Sequence, residues 1–177
     1  MDHFTSIDGT LHAEGVPLPT IADEVGTPVY VYSRATLERH ARVFKEGLSE
    51  LDDPLILFAV KANPNLAVLR VLQREGFGAD VVSGGELRRA LAAGMTPDKI
   101  VFSGVGKTRA ELELGLDTGI AQFNIESREE GRELAELAAA RGERARCALR
   151  INPDVDAGTH EKISTGKADN KFGVPLY

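Results

Sequence analysis

Short apolar runs alternate with amphipathic stretches along this chain, and that alternation constrains its fold more than any other feature. The runs fall at residues 55–61, 79–83, 100–103, 121–125 and 146–152. They are short and show little polar alternation, as parallel strands buried on both faces do. The gaps carry helical stripes, such as Leu66, Val68, Leu69, Val71 and Leu72. Thr108 with Glu111, and Ser127 with Glu130, have capping-box spacing. Gly76, Gly94, Gly119 and Gly142 stand where helices should stop. Strand–helix units recurring every roughly 20 to 25 residues predict a parallel sheet with right-handed crossovers. Periodicity alone does not separate a (β/α)8 barrel from a doubly wound open sheet. A leucine-rich repeat is disfavoured, because no fixed Leu-x-x-Leu-x-Leu spacing recurs.

The 177 residues suffice for one domain with a sizeable core. A formal net charge of −6 argues against nucleic acid as a partner. No apolar run reaches the length of a membrane span, and the N-terminus lacks the pattern of a secretory signal. The single cysteine, Cys147, lies in the apolar pattern Cys147-Ala148-Leu149 and is expected to be a buried thiol. Together these features predict a cytoplasmic protein. Near the start, residues 19–25 predict a short helix and residues 28–32 a strand. Ser33 is expected to cap a long helix over 34–51.

One lysine stands out against this pattern. The first strand runs directly into Lys61, with Asn63 and Pro64 suited to cap and open the next helix. That places Lys61 at the carboxyl end of a buried strand, where a βα loop begins. A desolvated lysine has a lowered pKa and becomes a nucleophile toward an aldehyde. The plain alternative is a solvated lysine ending a strand.

The segment Phe58-Ala59-Val60-Lys61-Ala62-Asn63 resembles the pyridoxal-phosphate (PLP) lysine segment of the alanine racemase/ornithine decarboxylase fold group. Further segments match in the family's order at residues 78–87, 101–107, 123–127 and 149–153. Residues 160–166, followed by Lys171-Phe172-Gly173, resemble the diaminopimelate decarboxylase branch in particular. The resemblance spans residues 15 to 175. It implies a partial PLP-binding (β/α)8 TIM barrel over residues 34–177, with about five of eight strands. Residues 1–33 would contribute to, or lead from, a separate β-domain. A whole barrel needs about 250 residues. The later ring-stacking histidine, the phosphate loop and the C-terminal β-domain are therefore expected outside this chain, and residues 1–177 alone are expected to lack activity. The implied activity is PLP-dependent decarboxylation of meso-diaminopimelate to L-lysine and CO2, in a homodimer. The alternatives are a barrel decarboxylase acting on ornithine, arginine or carboxynorspermidine, and a non-catalytic PLP-binding barrel.

The resemblance also assigns site residues. Lys61 would form the Schiff base with PLP. Asp80, near the end of the second strand, would steer the lysine amine. Arg150 would lie near the cofactor, a structural ion pair being the alternative. Glu86 matches an acidic position near the site, but at a helix start it equally complements the dipole. Ser83-Gly84-Gly85 is read as close backbone packing and not as a phosphate cradle. His160 is read as a structural or solvated group. Lys171 is either a residue reaching a second subunit or an exposed loop lysine. The acidic stretch 127–136 is read as a solvated helix face.

Overall fold

A computed structural model describes residues 2–153 and 172–175. The chain opens with an antiparallel sheet of β1 (Phe4–Ile7), β2 (Thr10–Ala13) and β3 (Val16–Pro17). Ile7 pairs with Thr10, so Asp8 and Gly9 form a two-residue turn, both with positive φ. Asp-Gly is suited to that geometry. Sequence reasoning passed over this hairpin, although Asp8-Gly9 was its local signal. Helix α1 (Leu18–Val25) follows, as expected. The strand expected at residues 28–32 does not form. A strand needs a partner, and none of the described residues pairs with this stretch, which leaves Tyr30 87 % exposed.

Ser33 caps α2 (Arg34–Gly47) by accepting from the Thr36 N–H. Glu14, at the end of the hairpin sheet, reaches the same helix start. Its Oε1 accepts from the Ala35 N–H at 2.9 Å and the Ser33 hydroxyl at 2.8 Å. These bonds, that from Ala35 foremost, hold the Glu14 carboxyl below the ordinary carboxylate range. The hairpin sheet is thereby stitched to the N-terminus of α2, where a negative charge also complements the helix dipole.

The main sheet is parallel and five-stranded: β4 (Leu57–Ala59), β5 (Gly78–Val81), β6 (Ile100–Phe102), β7 (Gln122–Ile125) and β8 (Cys147–Leu149). Its spatial order is its chain order. A doubly wound sheet reverses its strand order at a switch point. This one does not, and it winds like the wall of a (β/α)8 barrel. Between the strands run α3 (Leu66–Arg74), α4 (Gly84–Ala92), α5 (Arg109–Thr118) and α6 (Arg128–Ala140). Ala79, Val81, Ile100, Phe102, Phe123 and Ile125 pack into one core with Leu69, Leu87, Leu112, Leu116, Leu134 and Leu137 of the helices. A smaller cluster of Ala41, Val68, Leu72 and Phe77 seats α2 against α3.

The strands alternate more than the sequence pattern suggested. Gly78, Asp80, Val101, Gln122, Asn124 and Ala148 occupy the positions between the core residues, and register aligns Asp80 with Val101, Val101 with Gln122, and Asn124 with Ala148. The sheet therefore packs one apolar face under helices, and its other face carries the polar Asp80, Gln122 and Asn124 beside Gly78, Val101 and Ala148.

Three further expectations need correction. The helix after β4 is capped by Asn65, not Asn63. Asn65 Oδ1 accepts from the Ala67 N–H, while Asn63 Oδ1 accepts from the Asn65 N–H and so shapes the turn before the cap. The strand expected over 146–152 divides at Arg150. Its N–H donates to the Ile125 carbonyl, after which β9 (Ile151–Asn152) leaves β7 and pairs in parallel with β10 (Val174–Pro175). Cys147 is exposed, because β8 forms the sheet's edge among the described residues.

Two expected outcomes follow from this packing. A Cβ on Gly78 would collide with the backbone carbonyl of Lys99, which cannot swing aside as a side chain can. Gly78→Ala should cost about 1–3 kcal/mol or more in urea unfolding. Gly85→Ala, which meets only the Ser83 hydroxyl at 3.7 Å, should be tolerated. The second concerns Glu111, which joins α4 to α5. Burial raises its pKa, but hydrogen bonds from the Gly84 N–H and from the Thr108 N–H and hydroxyl, with the Lys107 charge, outweigh this and leave it below 4.5. A depressed carboxylate adds stability that is complete above its unfolded pKa and is lost as pH falls through its folded pKa. Urea midpoints should therefore drop on acidification below about 4.5, and Glu111→Gln should flatten that limb.

Candidate functional site

The polar side of the sheet carries a connected set of side chains that runs toward the carboxyl ends of the strands, where a (β/α) barrel places its chemistry. Asp80 accepts at Oδ1 from the Ser103 hydroxyl at 2.5 Å. Asn124 donates through Nδ2 to Ser103 Oγ at 2.9 Å, and Gln122 donates through Nε2 to Asn124 Oδ1 at 2.8 Å. Three strands are thus bridged by one chain of hydrogen bonds. Next to it lies a cleft of about 300 Å³ lined by Ser103, Asn124, Glu126, Ala148, Leu149 and Arg150.

Arg150 reaches this cleft as half of an ion pair. Its Nη1 donates to Glu126 Oε1 at 3.0 Å and Oε2 at 3.3 Å, and its guanidinium lies 4.9 Å from the centre of the Phe172 ring. The Glu126 side chain is only 2 % exposed. A carboxylate so buried requires several donors. Besides Arg150 it receives the Gly104 N–H at 3.1 Å and the Gly173 N–H at 3.0 Å. The ion-pair alternative for Arg150 is the one seen in the geometry, and the paired guanidinium also lines the cleft.

Behind the polar face sits a second buried pair. Lys107 donates to Glu130 Oε1 at 2.7 Å, with side chains 1 % and 6 % exposed. The same ammonium donates to the carbonyls of Gly104 at 2.8 Å and Asn124 at 2.7 Å, so its three N–H groups are all engaged. Glu130 also accepts from the Glu126 N–H through Oε2. The expectation that stretch 127–136 is a purely solvated face is wrong at Glu130, whose burial is offset by Lys107.

Lys61 lies where the sequence placed it, directly after the first strand of the parallel sheet. It falls in a 3-10 turn, Val60–Ala62. Register sets Ala59 of the same strand beside Asp80. The expected desolvation is absent: Lys61 is exposed and has no hydrogen-bond or ion-pair partner among the described residues. Lys61, Asp80 and Arg150 therefore lie toward the carboxyl end of the sheet, and Ser103, which holds Asp80, lines the cleft with Asn124 and Arg150.

Glu86 is occupied as a helix cap, accepting from the Val82 N–H at 2.9 Å. The Gly84 N–H is engaged by Glu111 and is not open to a phosphate, in line with the close-packing reading of Ser83-Gly84-Gly85. His160 and Lys171 lie outside the described residues. Sequence reasoning missed Ser103, Asn124, Glu126 and the Lys107–Glu130 pair as partners. For Ser103, Asn124 and Glu126 the signal was available, since they lie within matched segments at the ends of apolar runs; the Lys107–Glu130 pairing, across 23 residues, left none.

These residues suit PLP: an open amine at a strand end, a polar cleft, and a fixed guanidinium for an anionic group. A diaminopimelate decarboxylase of Pseudomonas fluorescens is 56 % identical over 177 residues, covering 99 % of this chain and 42 % of that protein. One of Zymomonas mobilis is 55 % identical, covering 97 % of this chain and 41 % of that protein. The crystal structure of a diaminopimelate decarboxylase from M. jannaschii in co-complex with L-lysine superposes with a TM-score of 0.86 at 39 % identity, over 98 % of this chain and 41 % of that one. The chain thus spans about two fifths of the length of these relatives. Residues 34–177 match the family described as pyridoxal-dependent decarboxylase, pyridoxal binding domain, and the chain belongs to that family.

Proposed function

We propose that this chain is the PLP-lysine-bearing part of an enzyme that decarboxylates meso-2,6-diaminopimelate to L-lysine and CO2. The observation that carries this is identity above 50 % to diaminopimelate decarboxylases along nearly the whole chain, with Lys61 at the end of the first parallel strand. When bound, PLP supplies the sink for the electron pair left behind as CO2 departs.

The chain's own residues act around that chemistry. The Lys61 amine is open to solvent and free to bond an aldehyde. Because Lys61 is exposed here, burial within this chain is not what activates it. Asp80, beside the β4 end in register, offers a carboxylate held by Ser103 for steering the amine and its proton. Arg150 keeps a permanent charge on the cleft wall, and Glu126 fixes its direction, so it suits an anionic group of cofactor or substrate. The Ser103–Asn124–Gln122 chain keeps the polar wall ordered.

The same proposal extends to the larger protein. Residues 1–33, with their hairpin sheet and the unpaired stretch 28–32, would join a separate β-domain. The complete enzyme would be a cytoplasmic homodimer that builds each site from both subunits, as the family resemblance implies. Residues 34–177 would supply barrel strands and the cofactor lysine.

The test uses the complete gene product. Borohydride reduction with PLP should fix the cofactor on Lys61 by mass spectrometry. Lys61→Ala should abolish CO2 release from meso-diaminopimelate while leaving the circular dichroism of the fold unchanged. A reduced adduct on Lys107 or another lysine would reject the role. Release from ornithine or arginine in preference would replace the substrate, and PLP binding without CO2 release from any of the three would favour a non-catalytic barrel. Asp80→Asn should lower turnover about a hundredfold, the scale of a lost proton-handling group. Full activity in that variant would remove Asp80 from the mechanism.

A further inference from the structure

The proposed mechanism makes no use of the buried Lys107–Glu130 pair, although it is the most completely satisfied charge cluster among the described residues. Lys107 lies in the loop after β6, and Glu130 in the first turn of α6. A surface ion pair joins two side chains. This one also grips two backbone carbonyls, those of Gly104 and Asn124.

The choice of carbonyls gives the pair its meaning. Gly104 directly follows Ser103, and Asn124 carries the amide that donates to Ser103 Oγ. Lys107 therefore fixes, from behind the sheet, the backbone beneath both side chains that connect Asp80 to the cleft. Gly104 is gripped at both ends of its peptide environment. Its carbonyl accepts from Lys107, and its N–H donates to Glu126, the residue that orients Arg150. Its φ of +97° and the Val82 Cβ, 3.2 Å from where a Cβ would stand, make any side chain there strained and tight. Glu130 closes the circuit through the Glu126 N–H.

We propose that Lys107, neutralised by Glu130, is a positioning residue for the cofactor site. It sets Ser103, Asn124 and, through Gly104 and Glu126, Arg150 without touching cofactor or substrate. This rests on the assignment of Lys61 as the PLP lysine. Replacing a buried ion pair by apolar residues of similar volume often leaves stability intact. Removing this pair should then preserve the fold and loosen the site.

The experiment uses the complete gene product, with Lys107→Met/Glu130→Met as the principal variant. Thermal unfolding reports the fold, visible circular dichroism of bound PLP reports the orientation of the cofactor, and equilibrium dialysis reports its affinity. The variant should still fold, at an unfolding temperature lowered by the lost partners of the Gly104 and Asn124 carbonyls and the Glu126 N–H, show a diminished or shifted cofactor dichroic band, and bind PLP about tenfold more weakly, the scale on which lost outer-shell support acts. Its kcat should fall with KM little changed. A folded variant with wild-type dichroism, affinity and kcat would overturn the proposal. Should the double variant fail to fold, Glu130→Gln, which keeps volume and an acceptor oxygen, takes its place. A changed cofactor band in that variant supports the proposal, and an unchanged band, or failure of this variant to fold as well, overturns it in favour of a purely structural pair. Borohydride trapping on Lys61 in the wild type separates the two levels: its absence there would sink the PLP-lysine assignment itself.

Discussion

One-sided burial of the parallel sheet is the constraint on which the rest depends. Ile100, Phe102, Phe123 and Ile125 are almost wholly withdrawn from water by the helical layer. Side chains alternate along a strand, so fixing these residues inward fixes their neighbours outward. Asp80, Gln122 and Asn124 have no freedom to face elsewhere without exposing the core residues beside them. A register slip of one residue in β7 would bury Asn124 among leucines and expose Phe123. Apolar packing thus aims the polar side chains, and their mutual hydrogen bonds only refine the aim.

Charge takes over where the strands end. Backbone leaving a sheet loses its ladder partners, and each buried N–H or carbonyl then needs another partner. Glu126 supplies acceptors for Gly104 and Gly173, and Lys107 supplies donors for Gly104 and Asn124. Each buried charge meets its counterion on a different element: Arg150 after β8 for Glu126, Glu130 on α6 for Lys107. Neither pair is an efficient source of stability, given the cost of desolvating Glu126 in one and both ions in the other. Both are effective at specifying which loop lies against which, because an unpaired partner left behind would be costly.

What could be read beforehand follows the range of the interactions. The β/α order, the helices capped by Ser33, Thr108 and Ser127, and the place of Lys61 are written in local patterns, and they stand in the structure. The family resemblance pointed to Asp80 and Arg150; Arg150 lines the cleft, and Asp80 bonds to Ser103 on its wall. Long-range pairing was less legible. Residues 28–32 have strand composition, but composition does not supply a neighbour. Cys147 sits in an apolar run, yet its burial depends on what lies beyond β8. The Lys107–Glu130 pair was hidden because its members lie 23 residues apart and Glu130 stands in an otherwise acidic, exposed stretch. The hairpin at Asp8-Gly9 was legible and was passed over.

The three helices that follow β5, β6 and β7 share a device that links fold to site. Ser83, Thr108 and Ser127 each accept from the N–H three residues on, and each of those residues is a glutamate: Glu86, Glu111 and Glu130. In a simple capping box that glutamate turns back on its own N-cap. Here the three differ in reach. Glu86 bonds the Val82 N–H, one residue before its cap. Glu111 closes its own box and extends to the Gly84 N–H at the start of the previous helix. Glu130 takes the Glu126 N–H and the ammonium of Lys107 from the previous unit. One local sequence signature therefore serves successively to stop fraying, to join helix to helix, and to neutralise the lysine that holds the cleft wall. Because every cap lies at the carboxyl end of a parallel strand, each glutamate works at the end of the sheet where Lys61, Asp80 and Arg150 lie. Order at that end is thus a by-product of starting the helices well, and the only addition needed at the third helix is a buried cation for its glutamate to meet.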